Sequence, residues 1–78
     1  MIYFKLDTLL KQLGLSRNQF ANIAGVRPNT INDMCNSKTK RIEIDTLILI
    51  LNALNRISEN PILLEHLMEY RGSFDDEY

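Results

Sequence analysis

Five polar residues crowd the segment Arg27-Pro28-Asn29-Thr30-Ile31-Asn32-Asp33. Arg27, Asn29, Thr30, Asn32 and Asp33 bring a guanidinium, two amides, a hydroxyl and a carboxylate close together. Their chemistry is hydrogen bonding. Amides and a guanidinium match the paired donor and acceptor edges of nucleobases, and a hydroxyl or guanidinium also meets phosphate oxygens. Catalysis is not expected: no paired carboxylates, nucleophile–base set or glycine-rich phosphate loop accompanies these groups. The one cysteine, Cys35, and the one histidine, His66, stand far apart without companion ligands, so no metal site is expected either. We read the chain as a non-enzyme that needs no cofactor.

The elements that must hold these residues are two short helices. Ser16 followed by Gln19 has the capping-box pattern that starts a helix. Phe20, Ala21, Ala24, Val26, Ile31 and Met34 are the apolar positions of the segment. Ala21 is small enough for a second helix to cross closely over the first. Gly25 can take the left-handed backbone that ends a helix and turns the chain. Pro28 suits the first turn of the next helix, where a missing N–H costs nothing. Leu15 to Asn36 is therefore a helix-turn-helix unit, whose second helix enters a DNA major groove.

The rest of the chain reads as helical: helices over 4–13, 17–24, 28–36, 44–54 and 61–70, and no sheet. Asn60-Pro61 announces the last of them as cap and first position. The expected core is Leu6, Leu9, Leu13, Phe20, Ala24, Val26, Ile31, Met34, Leu47, Ile50 and Leu54. Residues 1–71 form a single domain and 72–78 an acidic tail that is expected to fray. At this size a folded domain buries about 60–65% of its unfolded surface, enough for one small core.

A net charge of −1 hides two opposite halves. Residues 1–41 hold seven basic and two acidic groups; residues 42–78 hold two basic and eight acidic. The basic half contains the helix-turn-helix, and the local field matters more than total charge to a polyanion. No apolar run approaches the ~20 residues of a membrane span. Lys5, Asp7 and Lys11 interrupt the N-terminal segment, which excludes a signal peptide's apolar stretch. With one cysteine no internal disulfide forms, and a reducing cytoplasm is the expected setting.

At these residues the chain resembles the Cro and lambda-repressor-like family of helix-turn-helix domains, also called the Xre family. Asn36-Ser37-Lys38-Thr39-Lys40-Arg41-Ile42 resembles the loop after its recognition helix. Ile44-Asp45-Thr46-Leu47 with Ile50, Ala53 and Leu54 resembles its fourth helix, and Tyr3 to Asp7 with Leu9, Leu10 and Leu13 its first. The resemblance implies a compact, all-α, five-helix domain. Four positions depart from it: Ser37 replaces the usual Gly, Arg27 the usual Ser or Thr cap, and Ile48 and Leu49 the usual polar residues.

By this resemblance the residues opening the recognition helix, Arg27, Pro28, Asn29 and Thr30, meet the bases. Asn29 can pair with adenine, Thr30 can touch a thymine methyl or a phosphate, and Arg27 can reach guanine or the backbone. Asn32 and Asp33 lie one turn deeper; Asp33 either accepts from cytosine N4–H or pairs with a nearby cation. Phosphate contacts are expected on both flanks, from Arg17 and Asn18 and from Asn36, Ser37, Lys38, Lys40 and Arg41. Lys5 and Lys11 read as ordinary surface residues.

The fourth helix is apolar nearly all round. Leu47, Ile50 and Leu54 face the core, while Ile48 and Leu49 point away from it. With Leu64 and Met68 of the last helix they form the expected interface of a two-fold homodimer, unless that helix covers them within one chain. The partner implied is double-stranded DNA, as a palindromic operator. The resemblance implies a transcription regulator, a repressor of bacterial, prophage or mobile-element origin. A protein–protein adaptor and an antitoxin remain as alternatives on the same fold.

Overall fold

The computed structural model describes residues 1–72; apart from Gly72, the expected acidic tail lies outside the described residues. β1 (Ile2–Phe4) leads into α1 (Leu6–Leu13), α2 (Arg17–Ala24), α3 (Pro28–Cys35), α4 (Ile44–Ile57), α5 (Leu64–Leu67) and β2 (Met68–Tyr70). Five helices are present as expected, but the expectation of no sheet is corrected. β1 and β2 pair antiparallel, with Tyr3 opposite Glu69. The β-branched and aromatic run Ile2-Tyr3-Phe4 favours a strand, which is why the first helix starts at Leu6 rather than residue 4. The Met1 and Arg71 backbones exchange hydrogen bonds at one end of the pair, and the Lys5 N–H donates to the Leu67 carbonyl (2.7 Å) at the other.

The last helix is the larger correction. Residues 61–70 were expected as one helix, yet only Leu64–Leu67 are helical. The Asn55 side chain explains the late start. Its Oδ1 accepts from the Ile62 N–H (2.8 Å) and its Nδ2 donates to the Ile62 carbonyl (2.9 Å), like a strand neighbour. That bracket holds Ile62 out of helix, and Leu63 follows in extended backbone (φ −95°, ψ 164°). Met68 then leaves the helix in extended conformation to enter β2.

The central helices follow their local chemistry. Ser16 Oγ accepts from the Gln19 N–H while Gln19 Oε1 accepts from the Ser16 N–H, a complete capping box. Gly25 takes φ 70°, turning α2 into α3, and its Cβ-free position is what that backbone requires. α4 runs three residues past the expected end at 54. Arg56 in its last turn donates to the Ile23 carbonyl (2.9 Å), tying α4 to the end of α2.

The core is shared by all five helices: Leu6 and Leu10, Phe20, Ala21 and Ala24, Ile31 and Met34, Leu47, Ile50, Ala53 and Leu54, and Leu67. Leu9, Leu13 and Val26, expected inside, are half-buried against it. α1 buries the i, i+4 pair Leu6 and Leu10, which rotates Leu9 and Leu13 to the margin. α2 packs on α3 and on α4.

Ser37 ends the turn after α3 with φ 59°, the one left-handed non-glycine among the described residues. This is the position where the resemblance calls for Gly. Serine there bears a steric cost that glycine does not, offset in part by the greater unfolded-state entropy of glycine. Ser37→Gly is expected to stabilise the fold by about 0.5–1 kcal/mol, raising the thermal midpoint by about 2–8 °C. An unchanged or lower midpoint would contradict strain at Ser37.

Candidate nucleic-acid interface

α3 buries Ile31 and Met34 completely, so its opposite side must face outward. At about 100° per residue, Asn29, Asp33 and Asn36 align on that open side, and all three are exposed. Arg27 caps α3 in extended backbone and makes no side-chain capping bond, leaving its guanidinium at the open end of the helix. Pro28 takes the first helical position, exposed. Thr30 is half-buried on the side toward α4, where it shares a shallow hollow with Gly25, Val26, Arg27, Glu43, Thr46 and Leu49. Asp33 makes no ion pair among the described residues, so the pairing envisaged for it is not formed.

Arg17 and Asn32 do not stand free. Arg17 Nη1 donates to Asn32 Oδ1 (3.2 Å), and Nη2 meets Asp7 Oδ1 (3.4 Å). The other Asp7 oxygen lies 3.1 Å from Lys11 Nζ. Three helices thus meet in one polar chain, Lys11–Asp7–Arg17–Asn32. The Lys11 ammonium, and after it the Arg17 guanidinium, hold the Asp7 carboxyl below the usual carboxylate range. Arg17 was expected as a phosphate ligand and Asn32 as a base reader; the structure joins them to each other first. Nothing in the sequence marks that link, because its ends lie 15 residues apart on two different helices. Only the Asp7–Lys11 spacing could be read, as an i, i+4 pair.

The basic flank lies just beyond α3. Asn36 caps its end, and the Lys38 N–H donates to the Asp33 carbonyl (2.8 Å), folding the loop back on the helix. Lys38, Lys40 and Arg41 are exposed and unpaired among the described residues, as are Asn18 and Ser37. Ile42 anchors this loop. With Ile2, Phe4 and Met68 it lines an apolar pit of about 140 Å³ that Thr39, Lys40 and Arg41 border. The two strands therefore position the basic loop, a role that could not be assigned while no strand was expected.

Compensation separates the cations. Lys5 sits 3.9 Å from Glu69 and donates to the Glu65 carbonyl, so it is not a plain surface lysine. Lys11 and Arg17 share Asp7, and Arg71 pairs with Glu69 while lying over the Tyr3 ring. Arg27, Lys38, Lys40 and Arg41 carry no such partner among the described residues. Uncompensated positive charge therefore brackets the open face of α3 at both ends. That arrangement has the charge a polyanion requires, with amides and a carboxylate between the two cationic ends.

The other sequence candidates are occupied elsewhere. His66 Nδ1 accepts from the Leu63 N–H (2.8 Å), capping α5. Burial pushes the Cys35 thiol above its ordinary value, which disfavours the reactive thiolate. Among the described residues no three His, Cys, Asp or Glu side chains gather as metal ligands, and no helix is long and apolar enough to cross a membrane. Ile48, Leu49 and Leu64 are exposed at 47%, 45% and 49%, whereas Met68 is half-buried on β2 instead of lying on a helix.

A family model described as helix-turn-helix matches residues 6–62. No curated protein and no solved structure matches the chain. The matched stretch opens on the first residue of α1 and closes on Ile62, the residue bracketed by Asn55. It holds the capping box of α2, the left-handed turn at Gly25 and the two-turn α3 that follows. By this match and these elements, the chain belongs to the helix-turn-helix family of the Cro and lambda-repressor-like, or Xre, type, a family of DNA-binding domains.

Proposed function

We propose that the protein is a sequence-specific regulator of transcription that binds double-stranded DNA and represses by occupying its site. The observation that carries this reading is the polar open face of α3 bracketed by uncompensated cations. α3 enters the major groove. Asn29 makes paired bonds to an adenine, Arg27 reaches a guanine or the adjoining backbone, and Thr30 touches a thymine methyl. Asp33, lacking a cation partner, accepts from cytosine N4–H. The exposed Asn18 and the N–H groups of the first turn of α2 hold phosphates on one flank; Asn36, Ser37, Lys38, Lys40 and Arg41 hold them on the other. Repression needs no more than occupancy of a promoter.

The same reading includes a homodimer. One two-turn helix covers few base pairs, and a two-fold pair of them reads half-sites about 34 Å apart. Ile48 and Leu49 are large apolar side chains left open on α4, as an isologous contact requires; Leu64, also open, lines a separate hollow with Ile2, Leu63, Met68 and Tyr70.

Selection of bound sequences from a random duplex library tests the whole reading. A palindromic consensus is the expected result. Recovery of no preferred duplex, together with co-purification of a protein partner, would favour the adaptor or antitoxin. On the selected duplex, Lys40→Ala with Arg41→Ala is expected to weaken binding to all sequences alike. It should flatten the slope of log affinity against log salt by about 0.9 for each phosphate no longer neutralised. Asn29→Ala is expected to cost about 1–3 kcal/mol on the preferred site and to relax one base pair, with helicity retained. Loss of helicity instead would place Asn29 inside the fold. Sedimentation checks the dimer: Ile48→Lys should shift the equilibrium toward monomer, and a wild type that is monomeric at high micromolar concentration would remove the dimer from the reading.

A further inference from the structure

The Lys11–Asp7–Arg17–Asn32 chain ends on the α3 side that borders the open face. A guanidinium carries donors and no acceptor, so the amide atom that meets Arg17 Nη1 must be the Asn32 oxygen. Asn32 therefore turns its Oδ1 toward α2 and its NH2 group outward. A paired contact to adenine needs the oxygen and the nitrogen on the same outward edge. Asn29, with no side-chain hydrogen bond among the described residues, keeps both; Asn32 does not. Arg17 is in turn held by Asp7, and both side chains are about one-third exposed (34% each), so the link is partly shielded from water.

We propose that Arg17 and Asp7 are positioning residues that fix Asn32 as a donor only, so that the protein selects an acceptor edge at the facing base and rejects cytosine there. The inference rests on the DNA-binding reading above. The acceptors that an outward NH2 can meet in the major groove are purine N7, guanine O6 and thymine O4. Cytosine presents N4–H2, a donor against a donor. Arg17 keeps further N–H groups for a nearby phosphate, but the Asp7 carboxylate, shared with Lys11, offsets part of its charge. Two asparagines one turn apart on one helix thus read by different rules, and the difference is written in α1.

The test uses the full chain and the duplex it selects from a random library, with each position of that duplex replaced in turn by all four base pairs. Asn32→Ala identifies the position that Asn32 faces, as the one whose preference it erases. At that position the wild type is expected to bind the cytosine duplex about tenfold or more weakly than the best one. Arg17→Met keeps an apolar stem and removes the donors. It should shrink the discrimination against cytosine severalfold while leaving the Asn29 position unaltered. Asp7→Asn should act in the same direction, more weakly, and serves if Arg17→Met fails to fold. A thermal melt confirms that each variant is folded. Uniform weakening on every duplex, with the rejection of cytosine intact, would overturn the inference and leave Arg17 as a phosphate contact. A wild type that rejects no cytosine at the Asn32 position would overturn it as well. Failure of the wild type to select any duplex would instead remove the DNA-binding reading, and this inference with it.

Discussion

An eight-residue helix does not hold itself in water, because the cost of the first turn is recovered only over longer stretches. α3 is such a helix, and its N-cap residue makes no capping bond through its side chain. It exists because Ile31 and Met34 are wholly buried in a core that includes Phe20 and Ala21 of α2. Everything exposed on α3 depends on that burial. Two fixed inward residues, three apart, set the rotation of the helix and therefore which polar residues look outward. The small side chain at Ala21 and the left-handed Gly25 allow the close crossing. A larger residue at Ala21 would push α3 away as a body, whereas a side chain at Gly25 would meet open space and cost only the strain of its positive φ.

Charge is arranged on the same principle of leaving free only what is used. Salt screens exposed pairs and each contributes little to stability, typically about 0–1 kcal/mol. The pairs at Asp7 and Glu69 matter more for the field they cancel. Each carboxylate offsets part of the charge of two cations, Asp7 that of Lys11 and Arg17 and Glu69 that of Lys5 and Arg71, so the positive potential is weighted toward the ends of α3. A nearly neutral chain can then present a strongly positive face. Among the described residues, the two acids that pair with cations, Asp7 and Glu69, do so away from the open face of α3.

Much of this was legible in the sequence, and the reasons are local. Ser16 with Gln19, Gly25 and Pro28 each act within one turn of chain, so α2, the turn and the start of α3 fall where spacing places them. The mismatch at Ser37 could be read too, since a position that resembles a glycine site proves to need a positive φ. The sheet was not legible. Three-residue strands have no period to detect, and their partner lies at the other end of the domain. Asn60-Pro61 is a sound helix start by local rule, but Asn55, in α4, overrules it by bonding both backbone groups of Ile62. The Arg17–Asn32 link was hidden for the same reason: each residue has an ordinary local reading, and only the fold sets them side by side.

The strand pair has a consequence for the order in which the domain assembles. Its hydrogen bonds join residues as much as 70 apart, whereas the helix-turn-helix contacts lie within about twenty. Loop-closure entropy makes the distant pairing the last to be repaid, although the added cost grows only logarithmically with length. The two strands thus behave as a clasp that shuts over a helical body already formed. Leu67, fully buried beside that clasp, is what makes shutting favourable. When the clasp opens, the anchor of the loop bearing Lys40 and Arg41 is lost while α2 and α3 remain packed. Opening of the strand pair would therefore displace Lys40 and Arg41 while leaving the rotation of α3, and the residues it turns outward, unchanged.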